Sequence, residues 1–493
     1  MLHSPSRTSA KWWPGGLGRT ATHCILMARL LHGGRDLGPH AFVLPLRDPE
    51  THCPFAGITI GDIGPKQGYN GVDNGFMMLD HVTLPRDHML MKNASMSADG
   101  VYSPPRVAKA SYGTMISVRA GIVATAGLSL AKAATIAVRY CAVRRQTAAE
   151  GESLETQVLD YANCSAALLP LVASAFALHA TGRHMRRMYA NHEASADSGN
   201  FGGLAELHAT SSGLKAVCTW MTGDGIEAAR RCCGGHGYSA LSGLPDLVGD
   251  YNAQVAYEGD NNVLSLQTAR FLLGQLRALG QARPQGDAAY LARCSTLDTD
   301  TCTAANEADI SQPQVLLAAL EHASCRAVTV AAAAFDAAVA AGSTVDGARN
   351  TLAVPLIAAS KAHCEAVIMR CLCAFADDAP PELATIFSRL TTLFGLERMH
   401  ATLGPLLADG HLQPRHAAII DSARTALLRE LRPDAVALVD AFELPDAFLN
   451  SAIGRKDGDV YEALFRAAQQ SPLNRMPTPP GYDIIRPLLA AKL

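Results

Sequence analysis

The sequence predicts an α+β protein that is mainly helical, with a small β-barrel domain, a four-helix bundle and a second, C-terminal helical domain. Short apolar runs separated by turn-forming residues occupy positions 1–105. Long segments with apolar residues three and four positions apart follow, and a stretch rich in Gly, Arg, Pro and Asp near 280–310 divides them into two regions. The 493 residues are enough for several domains with sizeable cores.

The first predicted domain, 1–105, depends on strand signals. Cys24–Leu31 and Ala41–Leu46 are apolar runs bounded by glycine or proline. Mostly apolar residues recur at every second position from Phe76 to Leu84, which is the period of a half-buried strand. Because Gly, Pro, Asn and Asp crowd between these runs, tight turns should connect the strands. A small sheet or barrel fits this pattern.

Four long helices are predicted to follow. The first carries apolar residues at three-and-four spacing from Met115 to Ala137 and ends in a group of arginines. The second contains Pro170, which should start a new segment or bend the helix. Four long antiparallel helices form a bundle. The bundle domain is predicted over 106–279, with its later helices at about 155–190, 206–231 and 262–279. A linker over 280–310, a second helical domain over 311–475 and a Pro-rich tail over 476–493 are predicted to follow.

Composition argues against several classes of protein. A formal net charge of -3, without a Lys/Arg block, offers no basic surface for nucleic acid. No apolar stretch of about 18 residues runs without a charge, Gly or Pro, so no membrane span is predicted. The 13 cysteines are scattered without the paired spacing of a zinc site. We therefore expect buried free thiols, a reducing compartment and no metal centre.

The first candidate binding feature is Trp12-Trp13-Pro14-Gly15-Gly16. A Gly-rich turn lets the backbone approach a flat or phosphorylated ligand and offers its N–H groups as donors. Adjacent tryptophans provide a broad aromatic wall, which suits a flavin ring. The structural alternative for this sequence is a β-turn beside two core aromatic residues.

Two further segments combine polar residues with a permissive backbone or a fixed charge. Cys233–Tyr238 holds three glycines and His236, and Arg144–Gln146 ends the first long helix. Arginine offers bidentate geometry that suits a pyrophosphate. The structural alternatives are a helix-to-loop linker for the first segment and a favourable helix-dipole interaction for the second.

Tyr257–Asn262 is an acidic turn before the fourth helix. Asp260 or Asn261 can cap that helix, so part of this polarity is structural. Glu258 stands between a tyrosine and a glycine and follows apolar residues. A carboxylate partly shielded from water is a stronger base, so Glu258 is a candidate general base. A merely structural acidic residue at a helix start is the alternative.

In their order along the chain, these segments resemble the acyl-CoA oxidase family, a branch of the acyl-CoA dehydrogenase superfamily. The second helical region separates oxidase from dehydrogenase, since ordinary dehydrogenases end soon after the glutamate helix. The segments that carry the resemblance are Lys11–Gly18, Gly61–Lys66, Leu84-Pro85-Arg86, Arg139–Gln146, Cys233–Ser239, Tyr257–Asn261, Gln267–Leu272, Asp434–Phe442, Gly454-Arg455 and Ser471–Asn474.

The resemblance implies an FAD-dependent oxidation of acyl-CoA to trans-2-enoyl-CoA, the first step of peroxisomal fatty acid β-oxidation. O₂ would accept the electrons and leave as H₂O₂. Glu258 would be the catalytic base, with Tyr257 and Gly259 beside the substrate. Arg144 and Gln146 would reach the FAD of a partner subunit in a homodimer. The implied cofactor-binding residues are Trp13, Gly15, Gly16, Arg144, Gln146, Gly234, Gly235 and His236.

The chain ends add two expectations. Ala491-Lys492-Leu493 resembles the Ser-Lys-Leu signal that the peroxisomal import receptor binds, which predicts the peroxisomal matrix. The family's N-terminal helical domain and a Thr-bearing flavin motif have no counterpart before the Trp-Trp segment, so an N-terminally truncated member is expected. Ala162–Ala167 also replaces a polar stretch of the family.

Two alternative functions stay open at this point. One is an acyl-CoA dehydrogenase that passes its electrons to a flavoprotein, against which the second helical domain and the peroxisomal ending argue. The other is a truncated, non-catalytic paralogue. Production of H₂O₂ with O₂ as sole acceptor separates the oxidase from the dehydrogenase. A Thr-bearing flavin motif encoded upstream of Met1 would favour the enzyme over the paralogue.

Overall fold

Residues 1–105 form short antiparallel sheets. In the computed structural model, residues 1–105, 113–197, 200 and 202–490 are described, and they divide into two compact units, Met1–Met115 and Ile116–Leu493. The strands of the first unit are β1 (Lys11–Trp12), β2 (His23–His32), β3 (Arg35–Pro45), β4 (Ile58–Asp62), β5 (Gly75–Leu79), β6 (Ser95–Met96) and β7 (Tyr102–Ser103).

The strands of this β unit pair in three separate groups. A three-stranded sheet has the order β1-β5-β4, with Ile60 opposite Met77, while β2 pairs with β3 and β6 with β7. Leu26 and Leu44 from the β2–β3 pair join Met77 in one buried cluster. The strand signal near 24–31 is thus confirmed, and the one near 76–84 is confirmed only as far as Leu79, where β5 ends. The small, partial barrel is not confirmed, because the described strands pair in separate groups.

The second unit is built from helices of very different length. Two short strands, β8 (Arg145–Ala148) and β9 (Glu155–Gln157), pair within it. The helices are α1 (Gly113–Val143), α2 (Ala162–Asp197), α3 (Leu204–Cys232), α4 (Gly234–Tyr238), α5 (Leu244–Asn252), α6 (Asn261–Arg277), α7 (Glu307–Ile310), α8 (Pro313–Ala340), α9 (Val345–Thr351), α10 (Ala353–Asp377), α11 (Ala384–Ala401), α12 (Leu403–Ala408), α13 (Pro414–Leu431), α14 (Ala435–Asp440), α15 (Asp446–Leu449), α16 (Val460–Gln469) and α17 (Tyr482–Ala490).

The two predicted helical regions share one hydrophobic core. Leu130 of α1, Val217 of α3, Leu316 of α8 and Phe394 of α11 belong to the same buried cluster. Helix α10 packs against α2, α3, α6 and α8, so a helix from the second region completes the packing of the first. A mainly helical protein with small sheets is confirmed, whereas a self-contained four-helix bundle is not. Helix α2 also runs continuously through Pro170.

Among the residues that the structure describes, three helices are long and apolar enough to cross a membrane. These are Met115–Val143, Ala162–Ala196 and Pro313–Ala340, and 67%, 72% and 50% of their most apolar windows are buried inside the protein. Their apolar surface is therefore used largely in packing against other helices of the same unit.

The predicted linker is an ordered part of the helical unit. Within 280–310, residues Gly286–Thr299 form a 3₁₀ helix, and Tyr290 is buried with its hydroxyl 2.8 Å from Nδ1 of His363. The imidazole of His322 lies between the carboxylates of Asp300 and Asp409, at 2.9 Å from each. Ion pairs and burial therefore attach this segment to α8 and α10.

Replacement of Phe394 by alanine should strongly destabilise the helical unit. Phe394 is 1% exposed in the shared core, and such a truncation costs about 3–5 kcal/mol of unfolding free energy through lost burial and a cavity. Phe465→Ala is the matched control, because Phe465 is 61% exposed and the expected change is within about 0.5 kcal/mol. Urea unfolding followed by circular dichroism measures both. Equal midpoints for the two variants would contradict a shared core around Phe394.

Candidate active site

The candidate base lies on a strained turn before α6. Glu258 is half-buried and adopts φ +56°, and the following Gly259 has φ +110°. The side chain of Asp260 accepts hydrogen bonds from the backbone N–H groups of Asn262 and Val263, at 2.9 and 3.3 Å. Asp260 is thus the N-cap of α6, whereas the sequence allows either Asp260 or Asn261. A non-glycine residue at positive φ is uncommon, so surrounding contacts must hold Glu258 in this conformation.

Two buried cations bind the carbonyl groups of this turn. Nε of Arg119, on α1, donates to the carbonyl oxygen of Glu258 at 2.9 Å. Nζ of Lys215, on α3, donates to the carbonyl oxygen of Gly259 at 2.8 Å. Arg119 is 6% exposed and Lys215 is completely buried. Hydrogen bonds from charged donors are stronger than neutral ones, so the two peptide planes around Gly259 are firmly oriented.

Burial dominates the electrostatics of both cations. Loss of solvation lowers the pKa of Arg119, and the nearby Glu258 opposes that change. Burial lowers the pKa of Lys215 to about 8; Arg119 adds to the effect, and Asp260 and Glu258 act in the opposite direction. Both groups still carry a positive charge at neutral pH, so two cations lie against the turn that carries the candidate base.

Arg119 and Lys215 are site residues that the sequence did not predict. Lys215 stands in the apolar run Leu214–Val217 of an amphipathic helix, and a lone lysine on a buried face was the available signal. Arg119 is likewise a single charged residue within the amphipathic pattern of α1. Neither position is near Glu258 in sequence, so only the packing of α1, α3 and α6 reveals the contact.

The two residues predicted to lie beside the substrate flank Glu258. Tyr257 is 41% exposed. Gly259 is confined by packing, because an added Cβ would stand 2.8 Å from Cδ2 of Leu264. Positive φ and limited space together explain why glycine suits this position.

A second group of predicted residues gathers where α1 ends. Nη2 of Arg144 donates to Oε1 of Gln146 at 3.0 Å. The rings of Tyr140 and His236 meet edge to face with centroids 5.7 Å apart. A hydrogen bond with Tyr461 raises the pKa of Arg144. Burial raises the pKa of Tyr140 to about 12, while the charge of Arg144 acts in the opposite direction.

The predicted glycine loop is a short helix, α4. Gly234 has φ +57°, and neither Gly234 nor Gly235 has a heavy atom within 4 Å of an added Cβ. Their backbone is therefore open to a ligand or to another protein chain. Gly237 has a structural role instead, because a Cβ there would stand 2.0 Å from the carbonyl oxygen of Arg230.

Helix α1 separates the two groups of residues. Arg119 lies near its start and Arg144 directly after its end, and at about 1.5 Å per residue the two are roughly 37 Å apart. One copy of the chain therefore does not bring Arg144 and Gln146 to its own Glu258.

The Trp-Trp segment of the β unit is exposed and conformationally defined. Trp12 and Trp13 are 53% and 60% exposed, and the ring of Trp12 stacks on Phe76 at 5.6 Å. Trp13 has φ +88° and Gly16 has φ +73°, and an added Cβ at Gly15 would lie 3.4 Å from Val72. These tryptophans are not core residues, which removes one structural alternative for the segment.

Comparison with known proteins identifies the family of this chain. The family model described as acyl-CoA oxidase, C-alpha1 domain, matches residues 112–273, and that described as acyl-CoA oxidase matches residues 312–490. The chain is 40% identical over 504 residues to peroxisomal acyl-coenzyme A oxidase 1 of Arabidopsis thaliana, covering 100% of this chain and 75% of the relative. The chain belongs to the acyl-CoA oxidase family.

Other members of this family agree in sequence and in structure. Peroxisomal acyl-coenzyme A oxidase 1 of Rattus norvegicus is 39% identical over 98% of this chain and 74% of its own length. The solved acyl-CoA oxidase 1 of Arabidopsis thaliana superposes with a TM-score of 0.95 at 39% identity, covering 100% of this chain and 75% of that one. Acyl-CoA oxidase-2 of Caenorhabditis elegans, solved with FAD, ascaroside-CoA and ATP, superposes with a TM-score of 0.94 at 34% identity, covering 100% and 73%.

These matches confirm the central functional predictions. The chain is an acyl-CoA oxidase, an oxidoreductase acting on a CH–CH bond in the first step of peroxisomal fatty acid β-oxidation. FAD is the cofactor found with family structures. The match over 312–490 is to an acyl-CoA oxidase model, which supports the oxidase over the dehydrogenase alternative.

Substitution at Gly259 should disturb the turn. Gly259→Ala meets both a positive φ and the Leu264 side chain, so the free energy of unfolding should fall by about 1–3 kcal/mol. Gly274→Ala, within α6, is the control. Beyond its own helix backbone, an added Cβ at Gly274 would meet no described heavy atom within 4 Å, so alanine should raise the free energy of unfolding by about 0.5–1 kcal/mol. Chemical unfolding of the two variants gives the comparison, and a stabilising effect at Gly259 would be inconsistent with this geometry.

Proposed function

We propose that Glu258 is the base that removes the α-proton of an acyl-CoA, in the FAD-dependent reaction that yields trans-2-enoyl-CoA and H₂O₂. The observation that supports this role is its position: a half-buried carboxylate on a strained turn, with the carbonyl groups of that turn bound by two buried cations. The segment around Glu258 also resembles the catalytic-glutamate segment of the family to which the chain belongs.

The chemistry requires more than a base. A C–H bond beside a thioester is a weak acid, so its ionisation needs hydrogen bonds to the thioester carbonyl as negative charge develops there. The backbone N–H of Glu258 is proposed as one such donor. Tyr257 and Gly259, on either side, are proposed to contact the substrate. A preorganised turn keeps donor and base in place throughout the reaction.

The residues at the far end of α1 fit a dinucleotide cofactor. Arg144 offers a charged planar donor, Gln146 lies 3.0 Å from it, and the open backbone at Gly234 and Gly235 permits close approach beside His236. These residues would hold FAD, which when bound would supply the redox chemistry of the reaction, with O₂ as the final electron acceptor.

The roughly 37 Å along α1 favours a homodimer. With Arg144 and Gln146 so far from Glu258 in one chain, their proposed cofactor serves the Glu258 of a second copy. We extend the proposal to Trp13, Gly15 and Gly16 of the β unit, whose exposed aromatic surface suits the flavin side of the cofactor.

Import is proposed to use the C-terminal signal. Ala491, Lys492 and Leu493 lie outside the described residues. The preceding helix α17 has no buried residue in its described part, which leaves that approach to the terminus accessible. Contact of the three terminal residues with the peroxisomal import receptor agrees with the peroxisomal relatives.

Glu258→Gln should abolish turnover while the fold and the cofactor are retained. The amide keeps the shape but cannot accept the proton, so H₂O₂ production should fall by roughly 100- to 10,000-fold. Peroxide release with acyl-CoA and O₂ as the only acceptor measures this loss. Glu382→Gln, at an exposed position, is the control with unchanged activity. Near-normal peroxide from Glu258→Gln would remove this residue from the mechanism.

Arg144→Ala should weaken retention of FAD. Loss of a charge-assisted contact to a phosphate corresponds to a roughly 10- to 100-fold weaker binding. The ratio of flavin to protein absorbance after gel filtration reports the change. Arg283→Ala removes an exposed arginine elsewhere and should keep the flavin content of the unmodified chain. A full complement of flavin in Arg144→Ala would rule out the proposed clamp.

A further inference from the structure

Lys215 is a fully buried lysine that has no role in the reaction as proposed above. It is the largest completely buried side chain of the described residues. Removing an ammonium group from water costs several kcal/mol unless compensating contacts are present. Among the described residues its ammonium group donates hydrogen bonds to neutral oxygens, those of Gly259 and Asn261, and not to a carboxylate that would explain why a charge is kept here.

The contacts of Lys215 all lead to the turn that carries Glu258. Besides the Gly259 carbonyl at 2.8 Å, Nζ donates to Oδ1 of Asn261 at 2.9 Å. Asn261 is 1% exposed, and its Nδ2 donates to Oγ1 of Thr219 at 2.9 Å. Thr219 in turn donates to the carbonyl oxygen of Lys215 at 2.8 Å. This closed ring of hydrogen bonds fixes both the lysine and the first residue of α6.

The geometry of the peptide groups determines where the N–H groups of this turn point when its carbonyl groups are held. In a trans peptide the C=O and N–H bonds point in opposite directions, and the described residues contain no cis peptide. The Gly259 carbonyl points toward Lys215, so the N–H of Asp260 points away from it. The N–H of Gly259 points away from Arg119 for the same reason. The buried charge also polarises the peptide to which it is bonded.

We propose that Lys215 is a positioning residue for the oxidase reaction: its buried ammonium holds the Gly259 carbonyl and supplies a positive field under Glu258. This inference depends on the proposed role of Glu258 as the base. The charged groups that act on the Lys215 ammonium are Arg119 of α1 and Glu258 and Asp260 of the turn. Arg119 orients the peptide before Gly259, and Lys215 orients the peptide after it.

Lys215→Met tests both parts of the proposal, because methionine has a similar shape without the charge or the donors. We expect kcat to fall by roughly 10- to 100-fold, as for a small misplacement of a reacting group. KM should stay within about threefold, because the lysine has no access to the substrate. Burial lowers the pKa of Lys215 to about 8, so a decline of kcat/KM as the pH rises through about 8 should be present in the unmodified enzyme and absent from this variant.

Lys215→Gln separates position from charge. The amide is neutral but keeps a donor, so it should shift the pH profile as methionine does while losing less of kcat. Lys361→Met is the matched control: Lys361 is an exposed lysine of α10, and its loss should change neither kcat nor the pH profile. Flavin content and the thermal unfolding midpoint are measured for every variant.

The outcomes distinguish this inference from the proposed function. Active Glu258→Gln enzyme would overturn the proposed base, and Lys215 would lose its role with it. With Glu258→Gln inactive, the Lys215 inference alone falls if both folded Lys215 variants keep kcat within about twofold and an unchanged pH profile. Failure of both variants to fold would assign Lys215 to stability and likewise overturn the inference.

Discussion

The organising interaction of this oxidase is the binding of two buried cations to successive carbonyl groups of one turn. Arg119 and Lys215 reach the Glu258 and Gly259 carbonyls from two different helices, and both side chains are withdrawn from water. Burying them is unfavourable in itself, so the packing of α1, α3 and α6 must compensate for it. The two hydrogen bonds hold Glu258 at positive φ, a backbone conformation that is unfavourable for residues other than glycine.

Helix α1 links this turn to the proposed cofactor residues while keeping them apart. Its 31 residues are apolar enough to be buried among α2, α3 and helices of the second region, so it acts as a rigid spacer. In the proposed arrangement, a second copy of the chain supplies the residues from the opposite end of this helix. Cofactor binding and association of two chains are therefore coupled in the proposed arrangement.

The core explains why the second helical region matters for the first. Helix α10 packs against α2, α3 and α6, and α3 and α6 also carry the contacts of the Glu258 turn. The segment between the two regions is attached by the buried Tyr290 and by the hydrogen bonds of His322. The region that distinguishes oxidases in sequence is thus also a structural support of the candidate active site.

Sequence alone determined the succession of one β-rich region and two helical regions, the glutamate turn with its two candidate caps and the family resemblance, because these depend on neighbouring residues and their spacing. It predicted a small, partial barrel, a separate four-helix bundle and a linker, since periodicity shows which face is apolar but not which element covers it. Only the tertiary structure decided that Arg119 and Lys215 meet at Glu258, and that Arg144 stands at the opposite end of α1. Those contacts join residues far apart in the chain, and their energies depend on burial, which local sequence does not encode.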